Sequence, residues 1–334
     1  MLAIAQELGF FQRHQLDVEL RKVQSWGQAR DKLLAGELDA SHLLLTTPLL
    51  SAMEAPWEEP PIVYAFTLGH KGNGIILSNA LWNDGIKDAT SLAHWLAERP
   101  GKNLRLGVVF PRSPQEYFTR TWLALGGVEM ETRITFVTVA PQEMVGWLRK
   151  GDIDGFCVAE PWSRRAAASK LGRLVAVSGV LLPGLGDKIL GVRSAWHRRN
   201  TLDHARLVRA MSQAADWLED PANRERASEI IASKRYVNTP KNVVEAALKD
   251  SADRGRPDDS AHDPLFHGGP PDFPSQAHAR WYLDQMRRWG HADATSVEAI
   301  DLSSVCLEGF HRSVTSGMVR YPAAPAVTGL AAER

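Results

Sequence analysis

Between residues 41 and 177 the chain alternates short apolar, β-branched runs with stretches of helical periodicity, and this alternation restricts it to an α/β architecture. The strand-like runs are 41–45, 61–68, 74–78, 104–110, 133–139, 155–160 and 174–177. Helical patterns at 28–34, 91–98, 115–125, 142–150 and 163–171 separate most of them. Such an order predicts parallel sheets with helices on both faces. At the front, 2–10 has the apolar spacing of a helix ending at Gly9, and 17–23 reads as a strand. After a last strand at 185–192 the pattern becomes almost purely helical: 202–218, 224–233, 241–249 and 276–289. Residues 250–274 are rich in Gly, Pro and Asp and read as a long surface loop, and 322–334 reads as a disordered tail.

Composition removes several functions. The 334 residues carry 39 Lys plus Arg against 39 Asp plus Glu, without basic clusters, so a nucleic-acid partner is not expected. No apolar stretch approaches the roughly 18 residues of a membrane-spanning helix, and no secretory leader opens the chain as written. Cys157 and Cys306 are too few and too far apart for a disulfide framework or a metal site, and read as buried small apolar residues. No GxSxG, HExxH, GxxxxGK[ST] or full GxGxxG motif occurs, so neither a metal nor a nucleotide cofactor is expected. The eleven histidines are dispersed, and a surface position is expected for each. Trp95, Trp147, Trp217, Trp281 and Trp289 lie on amphipathic patterns and are assigned to the core.

Three strand-to-helix junctions place helix N-termini at the carboxyl edges of strands: Thr46-Thr47-Pro48, Pro111-Arg112-Ser113-Pro114 and Glu160-Pro161-Trp162-Ser163. Their free N–H groups suit a small anion, although most such junctions in α/β proteins hold only water. Thr46 and Thr47 read as a cap before Pro48. The glycines of His70-Lys71-Gly72-Asn73-Gly74 allow close approach to a ligand or simply make a turn. Lys188 offers a full positive charge or a solvated turn lysine. Trp26 and Trp162 sit at junctions where the rim of a cleft is expected. Residues 104–189 hold 11 Lys plus Arg and 8 Asp plus Glu, a mild excess of positive charge.

Seven segments, in order, resemble a known family: ELGFFQRHQLDVEL, GELDASHLLLTTPLL, GNGIILSN, FPRSPQEYFTRTWLALGG, GFCVAEPW, DKILGV and YLDQMRRWG. The family is that of the nitrate- and bicarbonate-binding proteins of bacterial ABC transporters and the related nitrate sensors. The resemblance implies an α/β, bilobal type II periplasmic-binding-protein-like fold: two parallel or mixed lobes with a hinge and a helical C-terminal third. Lobe I is expected at 1–103 plus 190–321 and lobe II at 104–189. It further implies a non-enzymatic protein that closes on a small oxyanion, with ligand positions at Trp26, Asn73, Gln115 and Lys188. Thr47, Gly74, Glu160 and Trp162 join these as candidates from the junctions and the glycine turn.

Gln115 stands where nitrate-binding members have a histidine, and Lys188 where they have lysine and bicarbonate-binding members glutamate. Lysine favours a permanently anionic ligand, nitrate or nitrite. The expected partner is an ABC permease, or, for a cytoplasmic sensor, a regulatory RNA-binding protein. Thiamine-pyrimidine synthases share the fold, but their cysteine-rich iron motif has no counterpart here. Family members have a strand before the first helix, so an upstream start is expected, with a periplasmic or membrane-associated location if it carries a leader and a cytoplasmic one as written.

Overall fold

The computed structural model describes residues 1–54, 59–70, 72–253 and 272–316. Its strands are β1 (Ala40–Leu44), β2 (Ile62–Gly69), β3 (Asn73–Ser78), β4 (Leu104–Val108), β5 (Ile134–Thr138), β6 (Gly155–Ala159), β7 (Gly172–Val177) and β8 (Lys188–Arg193). The chain divides into two units, Met1–His70 with Gly184–Arg334, and Lys71–Pro183.

The first unit is built on a three-stranded sheet in the order β1-β8-β2. Both ladders are antiparallel, with Leu44 opposite Lys188 and His42 opposite Leu190 in the first. β2 is buried on both faces from Ile62 to Leu68, which is why it reads as a continuous apolar run rather than an alternating one. Beside it, the short helices Leu2–Glu7 and Phe10–Arg13 pack on the long helix Thr201–Glu219. Ile4, Phe10, Phe11, Val208, Met211 and Leu218 are central to that core. Each such side chain contributes about 1.5–3 kcal/mol on removal from water. The helix expected to end at Gly9 stops at Glu7, and Gly9, whose φ of 72° is left-handed, leads into the second short helix.

The second unit holds a five-stranded mixed sheet in the order β5-β4-β6-β3-β7. β4 is parallel to β5 and β6. β3 runs antiparallel to both β6 and β7. The helix Pro114–Leu125 packs on β6 and on the helix Ala89–Ala97. Ser113 caps it by accepting the Glu116 N–H at 3.3 Å, and Pro114 occupies the first helical position, where its missing N–H costs nothing. Tyr117, Phe118, Trp122 and Leu123 form the buried stripe of this helix.

Three expectations are corrected. The parallel order read from the strand–helix alternation holds only for β4 with β5 and β6: the second sheet is mixed and both ladders of the first are antiparallel, because β3 and β8 run against their neighbours. The lobe boundaries move as well: β3 pairs inside the second sheet and β8 inside the first, so the crossovers fall at 70/71 and 183/184 rather than 103/104 and 189/190. Residues 17–23 make no strand ladder, since among the described strands β1 has only β8 as a partner. Most of the expected loop at 250–274 and the whole tail at 322–334 lie outside the described residues.

Cys157 and Cys306 are buried, as expected, and neither is in a disulfide. Trp95 and Trp281 are core residues, whereas Trp147, Trp217 and Trp289 are only half-buried. The histidines depart most from expectation: His70, His204, His278 and His311 are all buried. Each has a polar partner that makes burial tolerable. His70 meets the Gly184 carbonyl at 2.9 Å, His204 meets His197 at 2.8 Å, His278 accepts the Gly186 N–H at 3.4 Å and His311 meets the Ala65 carbonyl at 2.8 Å.

Candidate functional site

The candidate residues fall into two groups, one in each unit. In the second unit, Asn73 opens β3 and Gln115 lies in the first turn of the helix Pro114–Leu125. They are 2% and 1% exposed. The Gln115 side-chain N–H donates to Asn73 Oδ1 at 2.7 Å, and the Asn73 backbone N–H donates to Ser178 Oγ at 3.2 Å. Gln115 Oε1 is buried and has no hydrogen-bond partner. A buried amide oxygen left in this way carries a desolvation cost of roughly 1–3 kcal/mol. Rotating a terminal amide by 180° exchanges its oxygen and nitrogen, so this position can present either a donor or an acceptor.

Gly74 follows on the opposite face of β3. A Cβ there would stand 2.7 Å from Leu174 Cδ1 and 3.0 Å from Ser163 Cβ, so the strand can pack here only without a side chain. Ser163 Oγ, also buried, has no partner. Glu160 is occupied by its own helix: its carboxylate accepts the Arg164 N–H at 3.3 Å and lies 3.7 Å from the Arg164 guanidinium. Trp162 begins the helix Trp162–Ala168 and is half-buried, with the Arg165 guanidinium 5.6 Å from its ring centre.

In the first unit, Lys188 is the first residue of β8. Its side chain is 12% exposed and its ammonium is ion-paired with the Asp187 carboxylate, which is 1% exposed. In the antiparallel register His42, Leu44, Lys188 and Leu190 share one face of the sheet. The His42 ring stands edge-on to Trp26 at 5.2 Å. Protonation of His42 is disfavoured by the protein packed around it and then by the Lys188 charge.

Trp26 opens the helix Trp26–Leu34, capped by Ser25 accepting the Gln28 N–H. Thr46 and Thr47 are buried within the first turn of the helix Thr46–Met53, and Leu45 takes the cap position without a side-chain hydrogen bond. The expected threonine cap is therefore absent: the helix begins at Thr46, two residues before Pro48, with the Leu45 N–H donating to the Asp187 carbonyl.

The structure thus brings Asn73 to Gln115 and exposes a link from Trp26 through His42 toward Lys188. It ties Glu160 to Arg164 instead of leaving it open. Sequence reasoning missed His42, Ser178 and the role of Asp187, and named Ser163 only as part of a strand-to-helix junction. Only the register of β1 against β8 and of β3 against its neighbours reveals them. Among the described residues no group of three or more His, Cys, Asp or Glu could hold a metal ion, and no helix is long and apolar enough to cross a membrane.

A family model described as the NMT1-like family matches residues 1–232. The chain belongs to the NMT1-like family. The nitrate/nitrite binding protein NrtA of Synechococcus elongatus is 31% identical over 307 residues, covering 88% of this chain and 69% of that protein. The bicarbonate transport ATP-binding protein CmpC of the same species is 33% identical over 291 residues, covering 86% of this chain and 43% of that protein. This NMT1-like chain spans about half or less of the ATP-binding transport proteins it matches. The crystal structure of the periplasmic nitrate-binding protein NrtA from Synechocystis PCC 6803 superimposes with a TM-score of 0.85 at 26% identity, covering 95% of this chain and 85% of that one. The fold is accordingly that of the periplasmic binding proteins.

Proposed function

We propose that this NMT1-like chain binds a small oxyanion, nitrate or nitrite, without catalysing a reaction, as the substrate-binding component of an ABC importer. The observation that carries this reading is Lys188: an ammonium with a largely buried side chain at the head of β8, on the same face as His42. The buried amides of Asn73 and Gln115 are the second group whose loss is expected to weaken binding. A planar anion that only accepts hydrogen bonds matches a lysine ammonium, which offers donors and no acceptor. The names of the relatives point the same way, since one is a nitrate/nitrite binding protein and another a bicarbonate-binding protein.

The magnitudes are adequate. Micromolar affinity needs about 8 kcal/mol, and a hydrogen bond to a charged group supplies roughly 1.5–3 kcal/mol. Three or four such bonds suffice before the costs of ordering and desolvation. Isothermal titration calorimetry with nitrate, nitrite, bicarbonate and an alkyl sulfonate tests the reading. Saturable binding of nitrate or nitrite is expected. Binding of bicarbonate alone, or of none of the four, rejects it.

A further inference from the structure

Asp187 is held more tightly than an ordinary residue at a strand edge. Its backbone N–H donates to the Gly69 carbonyl at 3.0 Å, and its carbonyl accepts the Leu45 N–H at 3.0 Å. The end of β2 and the residue after β1 therefore grip it from two sides. Gly186, just before it, is gripped as well: its N–H reaches His278 Nδ1 at 3.4 Å and its carbonyl accepts the Tyr282 hydroxyl at 3.0 Å. A Cβ on Gly69 would come 3.3 Å from Asp187 Oδ1, so the glycine leaves room for the carboxylate. The segment presents a fixed, almost fully buried negative charge directly to the Lys188 ammonium.

Burying a carboxylate is costly unless a cation accompanies it. The same cation is the group an incoming anion needs. We propose that Asp187 is an internal counter-ion that holds Lys188 in the anion-free protein and lowers its affinity for a monoanion, so that Asp187 is a positioning and affinity-setting residue acting through Lys188. This rests on the anion-binding reading of Lys188. The arriving anion shares the ammonium with Asp187 rather than meeting a bare charge, and its binding is weaker and more readily reversed than the lysine alone would give. The chemistry favours a ligand with several acceptor atoms and a single negative charge. A more highly charged anion meets stronger repulsion from the fixed carboxylate.

Two measurements test this separately from the ligand assignment. The first is a double-mutant cycle on the anion-free protein, with Lys188→Met, Asp187→Asn and both together followed by urea unfolding. Lys188→Met is expected to lower the urea midpoint by leaving a buried carboxylate without its cation, and Asp187→Asn in the same chain to restore most of the loss. Additive effects overturn the pairing. The second is nitrate calorimetry. Asp187→Asn is expected to tighten binding about tenfold or more, and Asp187→Glu, which keeps the charge, to leave it within a fewfold of the parent chain. Unchanged or weaker nitrate binding in a folded Asp187→Asn protein overturns the proposal. Asp187→Ser gives the same reading if the asparagine variant does not fold. If the parent chain binds no nitrate or nitrite, the anion reading fails, while the unfolding cycle still reports on the pair.

Discussion

Gln115 donates its side-chain N–H to Asn73 Oδ1 at 2.7 Å across 42 residues of sequence, joining the first turn of a helix to the first residue of a strand. Both residues are buried, so the remaining polar atoms of the pair face a protein interior rather than bulk water. Gln115→Leu removes this donor without changing the helix. It is expected to weaken nitrate binding by about 1.5–3 kcal/mol, roughly ten- to a hundredfold, in calorimetry on a protein with unaltered circular dichroism. Gln115→His, which can be both donor and cation, is expected to tighten it.

Lys188→Glu is expected to abolish binding of nitrate and nitrite, a loss of at least a hundredfold. It replaces the ammonium with a carboxylate adjacent to Asp187, and like charges at that separation repel. Equilibrium dialysis with the anion reads the result. Retained affinity removes Lys188 from the site.

Packing in the second unit gives a stability contrast between two glycines. A Cβ on Gly126 would fall 2.3 Å from the Ala89 carbonyl carbon, which is backbone at the start of a helix and cannot rotate away, whereas one on Gly146 meets nothing within 4 Å. Gly126→Ala is expected to destabilise by about 1–3 kcal/mol or more. Gly146→Ala, inside the helix Met144–Lys150, is expected to stabilise by about 0.5–1 kcal/mol. Thermal unfolding followed by circular dichroism distinguishes the two signs.

Buried histidines set an acid limb of stability. Burial, and next the neighbouring His197, push His204 down to about 3, and burial followed by His70 does the same for His278. Both remain neutral in the folded chain where an unfolded imidazole, with a pKa near 6.5, takes up a proton. The unfolded state thus binds more protons between about pH 6.5 and 3, so stability is complete above about 6.5 and is lost as pH falls through that window, by up to roughly 1.4 kcal/mol per pH unit for each group. His204→Gln is expected to flatten this slope in urea unfolding measured between pH 7 and 4. An unchanged slope contradicts it.

Much of the strand and helix pattern was legible because strands buried on both faces write themselves as apolar runs. β6, expected over 155–160, is Gly155–Ala159, and the helix expected over 115–125 is Pro114–Leu125, its start marked by Ser113 and Pro114. Strand direction was not legible, since β3 and β8 carry the same apolar signal whether parallel or antiparallel to their neighbours. Asn73 and Gln115 were found together only through family resemblance, and nothing local predicts their bond. The side-chain environments of Asp187 and His42 depend on partners far away in sequence, which periodicity does not report. The histidines failed because composition cannot tell an imidazole satisfied by a carbonyl from one in water, as His70 and His311 illustrate.

The hydrogen bonds from Asp187 to Gly69 and between His70 and Gly184 tie together, inside the first unit, the two places where its chain is interrupted. Within that unit, a short Gly/Ser bridge from His70 to Gly184 would therefore have little gap to span, and the β1-β8-β2 register does not depend on how long the intervening stretch is.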